Sequence, residues 1–179
     1  MKALLDACVL YPTVMREVLL AVAGQGLFTP LWSDRILEEW ARAARKLGPE
    51  GETLARGDIA LIRAAWPNAT IPRAPGIEAR LWLPDQHDIH VLASAIAGSA
   101  EVLLTVNAQD FPQNALAAEG LVRRDPDRFL WQLWSEHPDR VADAVARVQA
   151  TAERLSGEAQ PLRKLLKKAR LPRLGKALS

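Results

Sequence analysis

The sequence predicts an α/β fold, a mainly parallel sheet covered on both faces, followed by a helical extension. Three observations predict it. Short, mostly apolar runs at residues 3–5, 28–32 and 101–106 alternate with helix-like stretches, the pattern of strands buried on both faces. Start and stop residues bracket those helices: Ser33 before one, Gly48 and Gly98 after others. From Asp125 onward the pattern is helical only.

Taken in order, residues 3–5 read as a strand ending at Asp6, with Val9 and Leu10 continuing the apolar run to Pro12. A helix follows over 13–23, closed by Gly24 and Gly26. After the strand at 28–32, Ser33 caps a helix over 34–47 whose inner face is Ile36, Trp40, Ala44 and Leu47. A helix over 53–66 stops before Pro67, and the proline-rich 68–84 reads as extended. Asp85 or His87 opens the next helix, which runs to Ala97. A strand at 101–106, a turn at 107–112, a short helix at 113–119 and a last strand at 121–123 complete a domain over residues 1–124. The extension, residues 125–179, carries an apolar stripe of Val141, Val145, Val148, Ala152 and Leu155 and a basic helix over 161–170 with Leu162, Leu165 and Leu166 inward.

Composition bounds the function. The chain has 179 residues, 49% hydrophobic and 25% charged, enough for a real core. Cys8 is the only cysteine, which excludes an internal disulfide or a cysteine-rich zinc site and fits a reducing compartment. Asp6 interrupts the N-terminal apolar run at once, and no stretch approaches the ~18 apolar residues of a membrane span. The expectation is a soluble, cytoplasmic protein. Charge is uneven: residues 1–153 hold 15 basic and 20 acidic side chains, whereas 154–179 hold 8 basic and only Glu158. The tail is either a contact for a polyanion or acidic partner, or a solvated helix face.

The chemistry-bearing residues are carboxylates. Ligands of open parallel sheets sit beyond the carboxyl ends of the strands. Asp6 ends the first strand, Asn107 and Asp110 follow the 101–106 strand, and Asp88 opens the helix before it. Val91, Leu92, Ala95 and Ile96 form the buried stripe of that helix, and Asp88 falls on it at i−3 and i−4, whereas His90 falls off it and reads as solvated. An inward carboxylate without a partner costs several kcal/mol or takes up a proton. A cap at the helix start, shared with Asp85, is the alternative for Asp88. Glu38 lies opposite the inner face of its helix, and Glu39 lies at the edge, able to reach a cleft or simply solvated. Carboxylates about 4 Å apart repel by about 4 kcal/mol at an effective dielectric near 20, so a cluster needs protons or a cation. Oxygen ligands favour Mg²⁺ or Mn²⁺, which serve phosphodiester hydrolysis.

Four segments carry a family resemblance: Leu4-Leu5-Asp6-Ala7-Cys8-Val9-Leu10, Ile36-Leu37-Glu38-Glu39-Trp40, Asp85-Gln86-His87-Asp88 before Val91-Leu92-Ala93, and Thr105-Val106-Asn107-Ala108-Gln109-Asp110-Phe111. In order and spacing, residues 2–123 resemble the PIN domain, in particular its VapC-type toxin ribonucleases. The resemblance implies a three-layer α/β/α fold and a metal-dependent single-strand ribonuclease site, with Mg²⁺ or Mn²⁺ as cofactor. Asp6, Glu39 and Asp88 match the first three acidic positions. Asn107 stands at the fourth, and Asp110, three residues on, is the candidate for the missing charge; whether one or two metals bind stays open. Cys8 stands where Asn, Ser or Thr is common. The resemblance further implies a small antitoxin protein as partner, a homodimer, and RNA as substrate. The helices after Asp125 resemble a C-terminal extension of one subgroup.

Other phosphoryl-transfer folds are excluded by their missing parts. Receiver and dehalogenase-like domains need a lysine near the later strands, and none occurs between Lys46 and Lys164. A cysteine phosphatase needs an arginine where Val14 stands, and no strand–GxxxxGK[ST]–helix loop exists. The remaining rival is a PIN-like module that binds RNA or protein without cutting, kept open by Asn107.

Overall fold

Ala3, Leu4 and Leu5 are buried at consecutive positions, so both faces of the strand they form are covered, and that strand has a neighbour on each side. The computed structural model describes all residues, Met1–Ser179. Its elements are β1 (Lys2–Leu5), α1 (Ala7–Leu10), α2 (Thr13–Gly24), β2 (Thr29–Leu31), α3 (Asp34–Ala43), α4 (Gly51–Ala65), α5 (Pro75–Arg80), α6 (Ile89–Ala97), β3 (Val102–Leu104), α7 (Gln113–Ala117), β4 (Val122–Arg124), α8 (Pro126–Glu136), α9 (Pro138–Ser156), α10 (Leu162–Lys168) and α11 (Pro172–Ala177). Single 3₁₀ turns, Ala44–Leu47 and Gln86–Asp88, follow α3 and precede α6.

The sheet order is β2-β1-β3-β4, and β1 pairs in parallel with both β2 and β3. The chain leaves β1 toward one side to make β2 and later returns to the other side to make β3. That reversal makes the β1/β3 boundary the topological switch point, where a crevice opens beyond the strand ends. The register sets Leu5 beside Leu104, and the Asp6 N–H donates to the Leu104 carbonyl at 3.1 Å. Asp6 and Thr105 therefore leave the sheet side by side. α6 packs on β1 and β3, and α3 packs on α1 and α4.

The α/β class and the C-terminal helices are as expected, and several local expectations are corrected. The strand stops at Asp6 as read, but the apolar run after it is a helical turn, Ala7–Leu10, which the Asp6 carboxylate starts by accepting from the Ala7 N–H. The stretch after Asn68 is not extended throughout: Pro75 occupies the first turn of α5, where its missing N–H costs nothing. The 3₁₀ turn after α3 rotates Leu47 outward, leaving it 71% exposed, and Leu155 near the end of α9 is 74% exposed. α11 lies beyond the basic helix, the last element that the sequence pattern marks.

The chain forms two compact units, Met1–Tyr11 with Thr29–Arg123, and Pro12–Phe28 with Arg124–Ser179. A single cut after residue 124 thus omits one feature: α2 groups with the C-terminal helices. Within that second unit α2 packs on α9 and α8, burying Met15, Val18, Leu19 and Val22. Phe28 meets Phe129 edge-on, centroids 5.1 Å apart, a geometry favoured by the ring quadrupole. Buried Asp127 accepts from the Arg173 and Leu174 N–H groups, both at 2.9 Å, and so caps α11 from α8.

Candidate active site

Asp6 sits at the switch point and is 5% exposed. Its Oδ1 accepts from the Ala7 N–H at 2.8 Å, and its Oδ2 accepts from the Thr105 hydroxyl at 2.9 Å and the Cys8 thiol at 3.4 Å. The Cys8 sulfur also accepts from the Val106 N–H at 3.4 Å. Cysteine thus keeps the contact to Asp6 that a hydroxyl or amide would make there, at sulfur's longer reach. Burial pushes the Asp6 carboxyl above its usual range; the Thr105, Cys8 and Ala7 hydrogen bonds oppose that, and Glu39 adds to it. Burial, then the Asp6 charge, raises the Cys8 thiol to about 12.

Asp88 ends the 3₁₀ turn that leads into α6. The capping alternative separates the two aspartates. Asp85 accepts from the His87 N–H at 2.9 Å, whereas the Asp88 side chain makes no cap hydrogen bond. Half-buried, Asp88 has its carboxyl raised to about 6, first by desolvation and then by the negative charges of Asp110, Asp6, Asp85 and Glu39. The charges acting on it are other carboxylates.

Glu38 and Glu39 are about equally exposed, 38% and 40%, and differ instead in their partners. Glu38 lies in an exposed ion-pair network with Arg56 and Arg42, and the Arg56 hydrogen bond pulls its carboxyl down to about 2. Glu39 instead receives His90 Nε2 at 2.6 Å, with Arg35 more loosely placed at 3.8 Å. His90 corrects the sequence reading: it is 5% exposed, not solvated. Its Nδ1 is buried without a hydrogen-bond partner. α6 is buried on nearly every side, from His90 through Ala95, so no solvent face remains for the imidazole. An apolar stripe marks the most buried face of a helix but cannot show that the opposite face is covered too.

Asn107 and Asp110 lie in the turn after β3. The Asn107 N–H donates to the Thr105 hydroxyl at 3.0 Å, and the Asp110 N–H donates to the Asn107 carbonyl at 3.2 Å. Arg123 ties the turn down by donating to the Ala108 and Phe111 carbonyls at 3.1 and 2.6 Å. Asn107 is exposed, while half-buried Asp110 is the nearest-acting charge on Asp88. Asn107 carries no charge and so adds nothing to the negative potential at Asp88.

The donor chemistry of Asp6, Glu39, Asp88 and Asp110 fits a hard divalent cation: all oxygen, mutually repelling, with Asp6 and Asp88 both held above their ordinary range. As the side chains stand, no three Asp, Glu, His or Cys groups are close enough to hold one ion. Asp6 is locked by its three hydrogen bonds, whereas Asp88 has none, so Asp88 is the side chain with freedom to turn.

The fold is that of an α/β protein with a parallel sheet, and Asp6 lies at its switch point. A family model described as PIN domain matches residues 2–109, and the chain belongs to the PIN domain family. PIN domains are generally nucleases and typically use divalent metals. No curated protein and no solved structure matches the chain significantly.

Proposed function

We propose that this protein is a metal-dependent endoribonuclease that hydrolyses RNA phosphodiester bonds through Asp6, Glu39, Asp88 and Asp110, with Asn107 as an accessory oxygen ligand. One observation carries the reading: Asp88, uncapped and half-buried, is raised to about 6 by the carboxylates around it. Uncompensated negative charge at a strand-end crevice destabilises the fold unless a cation or a proton offsets it. Mg²⁺ or Mn²⁺ held there would lower the pKa of water and stabilise the attacking and leaving oxygens. The protein's own groups set the stage. Thr105, Cys8 and the Ala7 N–H fix the Asp6 carboxylate in one rotamer. His90 Nε2 fixes Glu39. As the pH rises through 6 Asp88 loses its proton and gains its charge.

We further read the protein as the toxin of a type II toxin–antitoxin pair, cytoplasmic and homodimeric, with a small antitoxin as partner; the order of the four acidic segments supports this. The domain assignment, residues 1–124 as the nuclease domain and 125–179 as the extension, belongs to the same proposal. No helix is long and apolar enough to cross a membrane. Purified protein incubated with single-stranded RNA and Mn²⁺ should release new 5′ ends, and Asp6→Asn should abolish them. Intact RNA under Mg²⁺ and Mn²⁺ alike, with RNA still bound, would instead establish the second reading, a binding module without catalysis, which Asn107 favours. Growth arrest on expression, relieved by a short co-encoded protein, tests the toxin assignment separately.

A further inference from the structure

The cations of the chain divide by unit. In the first, every arginine from Arg35 to Arg80 has a carboxylate within 3.8 Å. In the second, residues 163–176 hold seven lysines and arginines and no acidic residue. All seven are exposed, and none has an ion pair. On α10, Arg163, Lys164, Lys167 and Lys168 fall within about 140° of arc at 100° per residue, in two i, i+4 rows. The other side of that helix, Leu165 and Leu166, is buried. Arg173 and Lys176 stand on α11, whose Leu174 is buried as well. A Cβ at Gly175 would come within 3.2 Å of the Leu166 Cβ, so α11 lies tight on α10. The bend between them is a Schellman end: the Leu171 N–H donates to the Leu166 carbonyl at 2.8 Å, and the Arg170 N–H to the Lys167 carbonyl at 3.1 Å. Arg170 has a φ of 62°, a conformation that suits glycine and strains a side chain. A cation stands where the backbone asks for glycine.

Like charges at i, i+4 work against a helix, and no carboxylate of the chain offsets these. We propose that α10 and α11 form a second nucleic-acid surface, which holds the phosphate backbone of a double-helical RNA segment. That the ligand is RNA rests on the nuclease reading; that it is double-helical rests on this surface alone. The candidate catalytic carboxylates belong to the first unit and this face to the second. α10 and α11 carry no aromatic residue, and Trp131 on α8 already has the Arg173 guanidinium over its ring, 5.6 Å from the centroid. A single strand is held by stacking its bases on aromatic rings, which this face does not offer, whereas a duplex turns its bases inward and presents phosphates. Pairing also doubles the number of phosphates that the cations meet along a given length. A protein partner would need an apolar centre to its interface, and a bilayer an apolar face turned toward it. The leucines that could serve either are the buried ones.

The test follows the anisotropy of a fluorescein-labelled RNA duplex of about 16 base pairs on the full chain in EDTA, so that binding is read without metal-dependent cleavage. The duplex should bind at least about tenfold tighter than an unpaired strand of the same length, and duplexes of unrelated sequence should agree within about threefold. The triple variant Lys164→Gln, Lys167→Gln, Lys168→Gln should lose on the order of 100-fold in affinity at about 0.1 M salt. Its slope of log affinity against log salt should flatten by about 2 to 3. Arg170→Gly separates charge from folding: it should resist urea at least as well as wild type, while its salt slope drops by about 1. An unpaired strand that binds as tightly as the duplex overturns the proposal, and so does wild-type affinity in the triple variant. Polyglutamate of equal charge that displaces the duplex as well as unlabelled duplex does would overturn it too, by marking a site for an acidic protein. Cleavage of single-stranded RNA with Mn²⁺, run in parallel, separates the two levels. Cleavage with duplex affinity that ignores the lysines removes this surface and leaves the nuclease standing; lysine-dependent duplex binding without cleavage does the reverse.

Discussion

Replacing Asp88 by Asn should stabilise the metal-free protein at pH 8 while removing its nuclease activity. The Asp88 carboxyl rises from 3.8 to about 6 in the folded chain. Folding therefore favours its protonated form. Whatever stability that proton brings is fully present below pH 3.8 and is lost as the pH climbs through 6, where the charged form faces the other carboxylates. The full rise corresponds to about 3 kcal/mol. Asp88 is only half-buried, and solvent screening reduces the effect to about 1 kcal/mol. Urea unfolding in EDTA measures it. Asp88→Asn should gain about 1 kcal/mol over wild type at pH 8, and the gain should vanish at pH 4. Adding Mn²⁺ at pH 8 should reverse the order, because a ligand that binds only the folded wild type stabilises it by mass action. An Asn variant no more stable than wild type at pH 8, or equally favoured at pH 4, would refute the idea that the acidic groups strain the fold.

Three further outcomes test separate parts. His90→Ala should cut cleavage by about 10- to 100-fold, as removal of a group that orients a ligand does, with His90→Gln recovering part of it; initial rates under Mn²⁺ give the answer. Asp127→Ala should cost about 1 to 2 kcal/mol by uncapping α11, and hydrogen exchange should quicken at Arg173 and Leu174 ahead of the rest of the unit. The Cys8 thiol, raised to about 12, stays protonated at neutral pH. Native protein should therefore react with a thiol reagent far more slowly than urea-unfolded protein, and equal rates would contradict the hydrogen-bonded, buried position.

Much of the site could be read from the residues because local rules and global fold agreed there. Ser33 caps α3 with a 3.1 Å bond to the Ile36 N–H, and the 100° step between Glu38 and Glu39 sends one into arginines and the other to His90. What escaped did so for physical reasons. The stripe Val91, Leu92 and Ala95 is buried as read, but the face that carries His90 is covered as well, which a helical wheel cannot show. Pro72 and Pro75 look like breakers, yet Pro75 starts a helix. The partners of Asp127 are 46 and 47 residues away, beyond any local pattern. That Asp6 and Thr105 leave the sheet side by side depends on which strands pair, and sequence spacing alone does not encode that.

The grouping of α2 with the C-terminal helices has a consequence for biosynthesis. α2 leaves the ribosome more than 100 residues before α8 and α9, its packing partners, have been made. At roughly 5 to 20 residues per second the delay is about 5 to 25 seconds. Throughout that interval Met15, Val18, Leu19 and Val22 have no second layer to cover them, a demand on chaperones that a strictly sequential arrangement of domains would not make. Cutting the gene after residue 124 would make that transient exposure permanent.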